Sequence, residues 1–423
     1  MNHRPVAVLL FVIALCPGLS AQERTGNYAV LAWNDLGMHC LNPTYDVLVV
    51  LPPYNNLVAQ VVRRGDPPRI VTAGLKVEYS LEDNTDSAGK RQYGQFWANA
   101  RALFGVDLAR NKGLKGKGLA GAMSPQGNRF VAEGIPVVPV KDDGQWNPYQ
   151  VASIVVRDSS GTVLVRTRTT VPTSDEMNCA KCHGTDAFRS ILETHDRNQG
   201  TRLAAATPVL CASCHGSPAL GTTGPGAAGK YVSQAVHGYH ADKSAECYDC
   251  HPGALTRCSR SARHTAPDGN CTTCHGSLAD IAKTIASGRV PWVKEPNCIR
   301  CHLGVPEVDT GEVLYRNASG HGGLACASCH GGPHAMVPAS MVDSFQNQDN
   351  YQALQYQGFR GRIKSIGSCG ACHSRSRGDP ELEEFGEKHA GLSPEVNTAC
   401  NLCHTAVQVN TAGWPHSFRW KSR

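Results

Sequence analysis

The pattern Cys-x-x-Cys-His constrains this chain more than any other feature, because it occurs eight times between residues 179 and 404. The motif cysteines are Cys179, Cys182, Cys211, Cys214, Cys247, Cys250, Cys271, Cys274, Cys298, Cys301, Cys326, Cys329, Cys369, Cys372, Cys400 and Cys403. The motif histidines are His183, His215, His251, His275, His302, His330, His373 and His404. A framework of disulfides would leave these eight adjacent histidines without a role.

The spacing of the motif has a direct chemical meaning. Two thiols separated by two residues can each add to one vinyl group of a haem, and the next residue then presents its imidazole to the iron. Structural zinc sites need paired Cys-x-x-Cys units that close tetrahedral sites, and they leave the adjacent histidine unused. The sequence therefore predicts eight covalently attached haems of the c type.

Composition agrees with haem as core material. The chain has 43 glycines, 25 prolines and only 6% aromatic residues among its 423 residues, which leaves little side-chain volume for a conventional core. We expect the haem macrocycles to supply much of the buried apolar volume. The motifs follow one another at irregular intervals, so no solenoid is predicted.

Histidines outside the motifs are candidates for the distal axial position of each iron. Leaving out His3 near the N-terminus, they are His39, His195, His237, His240, His264, His321, His334, His389 and His416. All except His39 lie within the haem-bearing segment, and their number there equals the number of motifs. The count predicts bis-histidine ligation of every iron, which is typical of electron-carrying haems.

Local sequence supports several of these distal candidates. Thr185 is predicted to cap a helix that carries His195 away from its own motif. His237 and His240 fall on the same side of a predicted helical turn. His321 has glycine neighbours that let a macrocycle approach, and His334 closely follows the sixth motif.

The N-terminus predicts export. Met1 to Pro5 carry positive charge, Val6 to Cys16 are apolar, and small residues end at Ala21, as in a cleaved signal peptide at 1–21. The apolar run is too short to span a bilayer, and no later stretch is long enough. We expect an exported protein, periplasmic or extracellular, with no transmembrane segment after cleavage.

Residues 22–172 differ in kind from the haem-bearing remainder. Short apolar runs there predict strands, and Asp158-Ser159-Ser160-Gly161 predicts a hairpin turn between two of them. The predicted strands are Tyr28–Ala32, Val47–Leu51, Val58–Val62, Leu75–Tyr79, Ile154–Arg157 and Val163–Arg168. We expect a mainly-β, sandwich-like N-terminal domain over 22–172, followed by a loop-rich, mainly-α octahaem cytochrome domain over 173–423.

The segment Asn34–Cys40 is the most chemically loaded stretch without a motif. Met38 or His39 can be considered as a haem ligand from this domain, and the alternative is that His39 and Cys40 are structural. Cys40 and Cys258 are the two cysteines left over in an exported chain. They form either one disulfide or two buried thiols.

The formal charge of +6 does not predict nucleic-acid binding. Two propionates on each haem outweigh the single charge of each ferric macrocycle, so the holoprotein is expected to be negative. Arg257, Arg260 and Arg263 are candidates to pair with propionates.

Beyond the motifs, three phrases resemble stretches of known proteins: Ile191–Asp196, Leu210–His215 and Gly320–Cys326. With the eight motifs, they make the chain similar to secreted multihaem c-type cytochromes of respiratory bacteria, the octahaem members in particular. Asn34–Cys40 is similar to a phrase of the same group. The resemblance implies electron transfer between redox-partner proteins, either within the periplasm or in a self-assembled haem filament.

An alternative function is that of an octahaem oxidoreductase acting on a small nitrogen or sulfur compound at one open iron. Some such enzymes replace the histidine of one motif by lysine, and no Cys-x-x-Cys-Lys occurs here. Tyr231, Tyr239 and Lys243 are conceivable active-site groups for that alternative. The histidine count favours the electron carrier, which has no catalytic residues.

Overall fold

The computed structural model describes residues 27–65, 67–252, 255–256, 271–296, 313–332, 334 and 372. The strands are β1 Tyr28–Trp33, β2 His39–Cys40, β3 Leu48–Val49, β4 Asn55–Arg63, β5 Arg69–Ile70, β6 Leu75–Leu81, β7 Ala120–Ala122, β8 Ser124–Gln126, β9 Arg129–Ile135, β10 Tyr149–Asp158, β11 Val163–Ser174 and β12 Val209–Leu210. The helices are α1 Gly94–Phe104, α2 Ala180–His183, α3 Ala187–Gln199, α4 Val232–His240, α5 Cys271–His275, α6 Leu278–Ala286 and α7 Cys326–His330.

The first sheet has the strand order β1-β4-β9-β8, with β5 also paired to β4, and all its pairs are antiparallel. Its strand β1 is apolar on both faces. Val30 and Ala32 point into the core between the sheets, whereas Leu31 and Trp33 pack with Ala325 beside α7. Successive strand residues point to opposite faces, so this unbroken apolar run marks a strand that is covered on both sides.

The second sheet has the order β2-β11-β10-β6-β7, with β2 parallel to β11. Strands β10 and β11 form the predicted hairpin. In its turn the Asp158 carboxylate accepts the backbone N–H groups of Ser160 and Thr162, each at 2.9 Å, and Gly161 adopts a positive φ of 89°. Hydrogen bonds to the carboxylate lower the pKa of Asp158, and the bond from the Ser160 hydroxyl contributes most. The hairpin prediction is confirmed.

The two sheets face each other across one apolar core. From the first sheet the core takes Val30, Leu57, Ala59, Val61, Phe130 and Ala132, and from the second Val77, Tyr79, Ala152, Ile154, Val156 and Val171. A second cluster forms around α1, where the Phe96 ring meets Tyr45 edge-on at 5.4 Å between centroids. The prediction of a β-rich N-terminal region is confirmed.

After Ser174 the described chain has short helices and few buried apolar side chains. Those side chains are Leu192, Ile285, Tyr315, Ala318, Ala325 and Ala327. Within the part of the chain that the structure describes, no helix has both the length and the apolar character needed to cross a membrane.

Two details differ from the sequence predictions. Asp186, and not Thr185, occupies the N-cap position of the helix that carries His195, and its side chain makes no capping hydrogen bond. Helix α1 and strand β9 were not predicted. Helix α1 carried a usable signal, since Phe96, Ala100 and Leu103 recur at helical spacing and are all buried.

Candidate haem-binding sites

Each of the first three motifs folds into one helical turn that brings its reactive side chains together. In the first three motifs the backbone N–H of the histidine donates to the carbonyl of the first cysteine, at 3.0 Å for His183, 3.0 Å for His215 and 2.8 Å for His251. Residues three and four apart lie on the same side of a helical turn. Both cysteines and the histidine therefore converge, which is the arrangement that covalent haem attachment requires.

Four motif histidines each face a histidine from outside the motifs. Their ring centroids are separated by 6.3 Å for His183 and His240, 6.4 Å for His215 and His195, 6.0 Å for His251 and His237, and 6.0 Å for His275 and His334. Two imidazoles that bind one metal from opposite sides, each with a metal–nitrogen bond of about 2 Å, hold their centroids about 6 Å apart. We call these four pairs the histidine pairs.

Hydrogen bonds at Nδ1 orient three imidazoles of the histidine pairs. The Nδ1–H groups of His237 and His240 donate to the carbonyls of Ser233 and Val236, at 2.7 and 2.8 Å. His215 Nδ1 donates to the Lys230 carbonyl at 3.1 Å. Because each proton is fixed on Nδ1, the lone pair lies on Nε2, the atom that coordinates an iron.

His195 is oriented by a side-chain relay instead of a carbonyl. The Thr201 hydroxyl donates to the Asp196 carboxylate at 2.5 Å, so its oxygen accepts the Nδ1–H of His195 at 3.0 Å. Asp196 is itself held by the backbone N–H groups of Leu203 and Ala204, at 2.7 and 3.0 Å. The imidazole that faces the second motif is thus held by two successive hydrogen bonds, from His195 to Thr201 and from Thr201 to Asp196.

Desolvation keeps several of these imidazoles neutral. Desolvation by the surrounding protein atoms lowers the pKa of His251 to about 4, and the charges of His237 and His275 contribute to this shift. The residue as a whole is exposed, so the packing of protein atoms around the ring, and not the total accessible surface, accounts for this direction. Burial also lowers the pKa of His237 and His275. A neutral imidazole is the form that binds iron.

The loop Asn34–Cys40 supports the fourth histidine pair. The Asn34 side chain accepts the N–H groups of Leu36 and Gly37, at 3.0 and 2.6 Å, and His334 hydrogen-bonds the Leu36 backbone. A Cβ on Gly332 would lie 2.1 Å from the Gly37 nitrogen, so the two backbones touch. This role of the loop was not predicted, since the sequence drew attention to its side chains and not to its backbone.

His39 lies in the same loop but outside the four histidine pairs. It is buried, and its Nε2 lies 3.4 Å from an oxygen of the Asp35 carboxylate. Met38 is also buried. His39 and Cys40 belong to the short parallel pairing of β2 with β11, so the structure gives both residues a place in the sheet.

Cys40 is partly exposed, and desolvation of its thiol, together with the charge of the Glu176 carboxylate, raises its pKa to about 12. In the pairing of β2 with β11, Cys40 lies opposite Ser174. The Ser174 hydroxyl oxygen accepts a hydrogen bond from the Thr256 hydroxyl at 2.9 Å. Cys258, the predicted disulfide partner, lies outside the described residues.

Other predicted residues also lie outside the described part of the chain. They are Cys258, His264, Cys298, Cys301, His302, Cys369, His373, His389, Cys400, Cys403, His404 and His416, with the arginines at 257, 260 and 263 and the predicted signal peptide. For His321, Cys329 and His330 the structure describes the backbone and not the side chain.

Comparison with known families agrees with the site geometry. Residues 280–331, which include the sixth motif up to His330, match the family described as cytochrome c554 and c-prime. The match supports a c-type cytochrome. Such a cytochrome carries covalently bound haem and transfers electrons. No curated protein and no solved structure matches the chain.

Proposed function

We propose that this cytochrome is an exported electron carrier with eight c-type haems, each held by two cysteines and two histidines. The observation that carries the proposal is the set of four histidine pairs at 6.0–6.4 Å. When bound, each haem supplies one-electron chemistry between ferric and ferrous iron. The eight identical motifs extend the same proposal to the haems outside the described residues.

The histidine pairs explain why electron transfer is favoured over substrate chemistry. An iron with two imidazole ligands has no free position for a substrate, whereas an oxidoreductase needs one open iron. In each of the first four motifs, the motif histidine and the histidine that faces it would fill both axial positions. Tyr231, Tyr239 and Lys243, the groups considered for an enzyme, lie next to helix α4 or within it, and this helix supplies two distal ligands.

The location and the partners follow from the same proposal. Residues 1–21 have the pattern of a cleaved export signal, and covalent haem attachment is consistent with export. We infer a periplasmic or extracellular carrier that exchanges electrons with redox-partner proteins. Assembly into a filament is one form that this function can take.

The test combines haem counting with electron paramagnetic resonance (EPR) spectroscopy of the oxidised holoprotein. Pyridine haemochrome analysis should give eight haems per chain, and the EPR spectrum should contain only low-spin ferric iron. Cyanide, nitrite and hydroxylamine should each leave that spectrum unchanged. Fewer than eight haems, or a high-spin iron that binds one of these ligands, contradicts the proposal.

A further inference from the structure

We propose that Lys181 and Asp249 are positioning residues that hold the first and third Cys-x-x-Cys-His motifs side by side. These two motifs are not consecutive in the sequence, because the second motif lies between them. The inference rests on the proposed function, since it concerns haems that those motifs would carry. It goes further by stating which haem-binding motifs are neighbours and which side chains make them so.

Helix α4 is the first observation behind this inference. It carries His237 and His240, which lie three residues apart and therefore on neighbouring positions of one helical face. His240 faces His183 of the first motif, and His237 faces His251 of the third. Two successive turns of one helix thus supply the distal ligands for two different motifs, which places those motifs next to each other.

The ion pair is the second and independent observation. Lys181 Nζ lies 2.5 Å from Asp249 Oδ1, and both residues occupy the position just before the second cysteine of their motifs. Asp249 is held in place because it also accepts the backbone N–H of Glu246 at 2.9 Å. The pair therefore joins the two haem-attachment turns directly, with one charged residue from each.

The neighbourhood of the motif cysteines agrees with this arrangement. Cys250 of the third motif lies near both cysteines of the first motif, Cys179 and Cys182. Cys247 of the third motif also hydrogen-bonds Cys271 of the fourth. The third motif is therefore flanked by the first and the fourth, and the spatial order of the motifs departs from their order in the sequence.

The charge of the pair gives the inference a measurable consequence. Reduction adds one negative charge to an iron, so a nearby cation favours the reduced state and a nearby anion opposes it. In the native protein the negative charge of Asp249 largely cancels the positive charge of Lys181. A carboxylate at position 181 would instead place two anions between two haem-attachment turns, and the reduction potentials of both haems should fall together.

The experiment is an EPR-monitored redox titration of the holoprotein carrying Lys181→Glu. We expect two of the eight transitions to move to lower potential, and the charge-swapped variant Lys181→Glu with Asp249→Lys to restore them. The matched control is Lys76→Glu, which disrupts an exposed pair with Glu78 at 2.7 Å in the N-terminal region and should move no transition. If Lys181→Glu gives no holoprotein, Lys181→Met should produce a smaller shift in the same direction.

Movement of a single transition, or no restoration by the charge swap, would overturn the inference. Those results would leave the proposed function intact, provided that the native protein contains eight low-spin haems. A native protein with fewer haems, or with a high-spin iron, would count against the proposed function instead. The haem count and the titration therefore separate the two conclusions.

Discussion

At the scale of single residues, the candidate distal histidines differ in what holds their Nδ1 atoms. His237 and His240 donate to backbone carbonyls, and His334 hydrogen-bonds the Leu36 backbone, so a side-chain substitution removes none of these bonds. His195 differs, because it donates to the Thr201 hydroxyl, which in turn donates to Asp196. A hydrogen bond at Nδ1 raises the basicity of the ligand nitrogen and so stabilises the ferric state. His195 is therefore the candidate ligand, among the described residues, whose hydrogen bond at Nδ1 can be removed by a single side-chain substitution.

We predict that Thr201→Val raises the reduction potential of one haem and leaves the haem count unchanged. Valine has nearly the shape of threonine but cannot accept the His195 proton, so the ligand becomes less basic. An EPR-monitored redox titration measures the change. Thr194→Val is the control, because Thr194 lies on the same helix and accepts only from Arg197 at 2.8 Å. A titration curve identical to that of the native protein would show that Thr201 does not tune its neighbour.

The sequence identified candidate ligands but could not pair them. Eight motifs and the surplus histidines follow from counting, and the helical spacing of His237 and His240 was confirmed by α4. Which two imidazoles face one another depends on how α3, α4 and the loop Asn34–Cys40 pack, and no local pattern encodes that packing. The pairing of His240 with the first motif, across 57 residues of chain, is of this kind.

At the scale of elements, the contact between the first sheet and α7 joins the two parts of the chain. Leu31 and Trp33 of β1 pack with Ala325 and Ala327 beside and within α7. The Gln60 side chain of β4 accepts the Ala325 backbone N–H at 2.9 Å. The outer face of this sheet is therefore a platform for the sixth motif. Alternate residues of β1 belong to two different apolar clusters, which explains why the run is apolar on both faces. The sequence did not predict what covers the second face.

We predict that Gly332→Ala disturbs the fourth histidine pair. The added Cβ would lie 2.1 Å from the Gly37 nitrogen, so one backbone must move, and the Leu36 backbone that bonds His334 moves with it. We expect a loss of about 1–3 kcal/mol in the free energy of unfolding and an altered or high-spin EPR signal from one iron. Gly320→Ala is the control, because a Cβ there meets nothing within 4 Å. Equal thermal stability and equal spectra in both variants would contradict this role for Gly332.

At the scale of the whole molecule, the two parts of the chain are stabilised in different ways. The N-terminal sheets enclose a continuous apolar core that includes fully buried Leu57, Phe130, Ile135 and Ile154. The described helices after Ser174 are short, and α3 buries only Leu192. Helices this short are marginal in water without tertiary packing. Few apolar side chains are buried in that part of the described chain, so bound haem should provide most of the packing there.

We therefore predict that the chain, when it is produced without haem attachment, keeps its β-structure and loses order after residue 174. Far-ultraviolet circular dichroism should retain the strand signal and lose most of the helical signal, because the sheets do not depend on haem for their core. Limited proteolysis followed by mass spectrometry should show cleavage first within α3, α4 and α6, and protection of β4, β9 and β10. The holoprotein is the control, and it should resist cleavage at those helices. Protected helices in the haem-free chain would mean that protein packing alone orders the part after residue 174. Equal cleavage of both parts would mean that the sheets need the packing of the haem-bearing segment against β1.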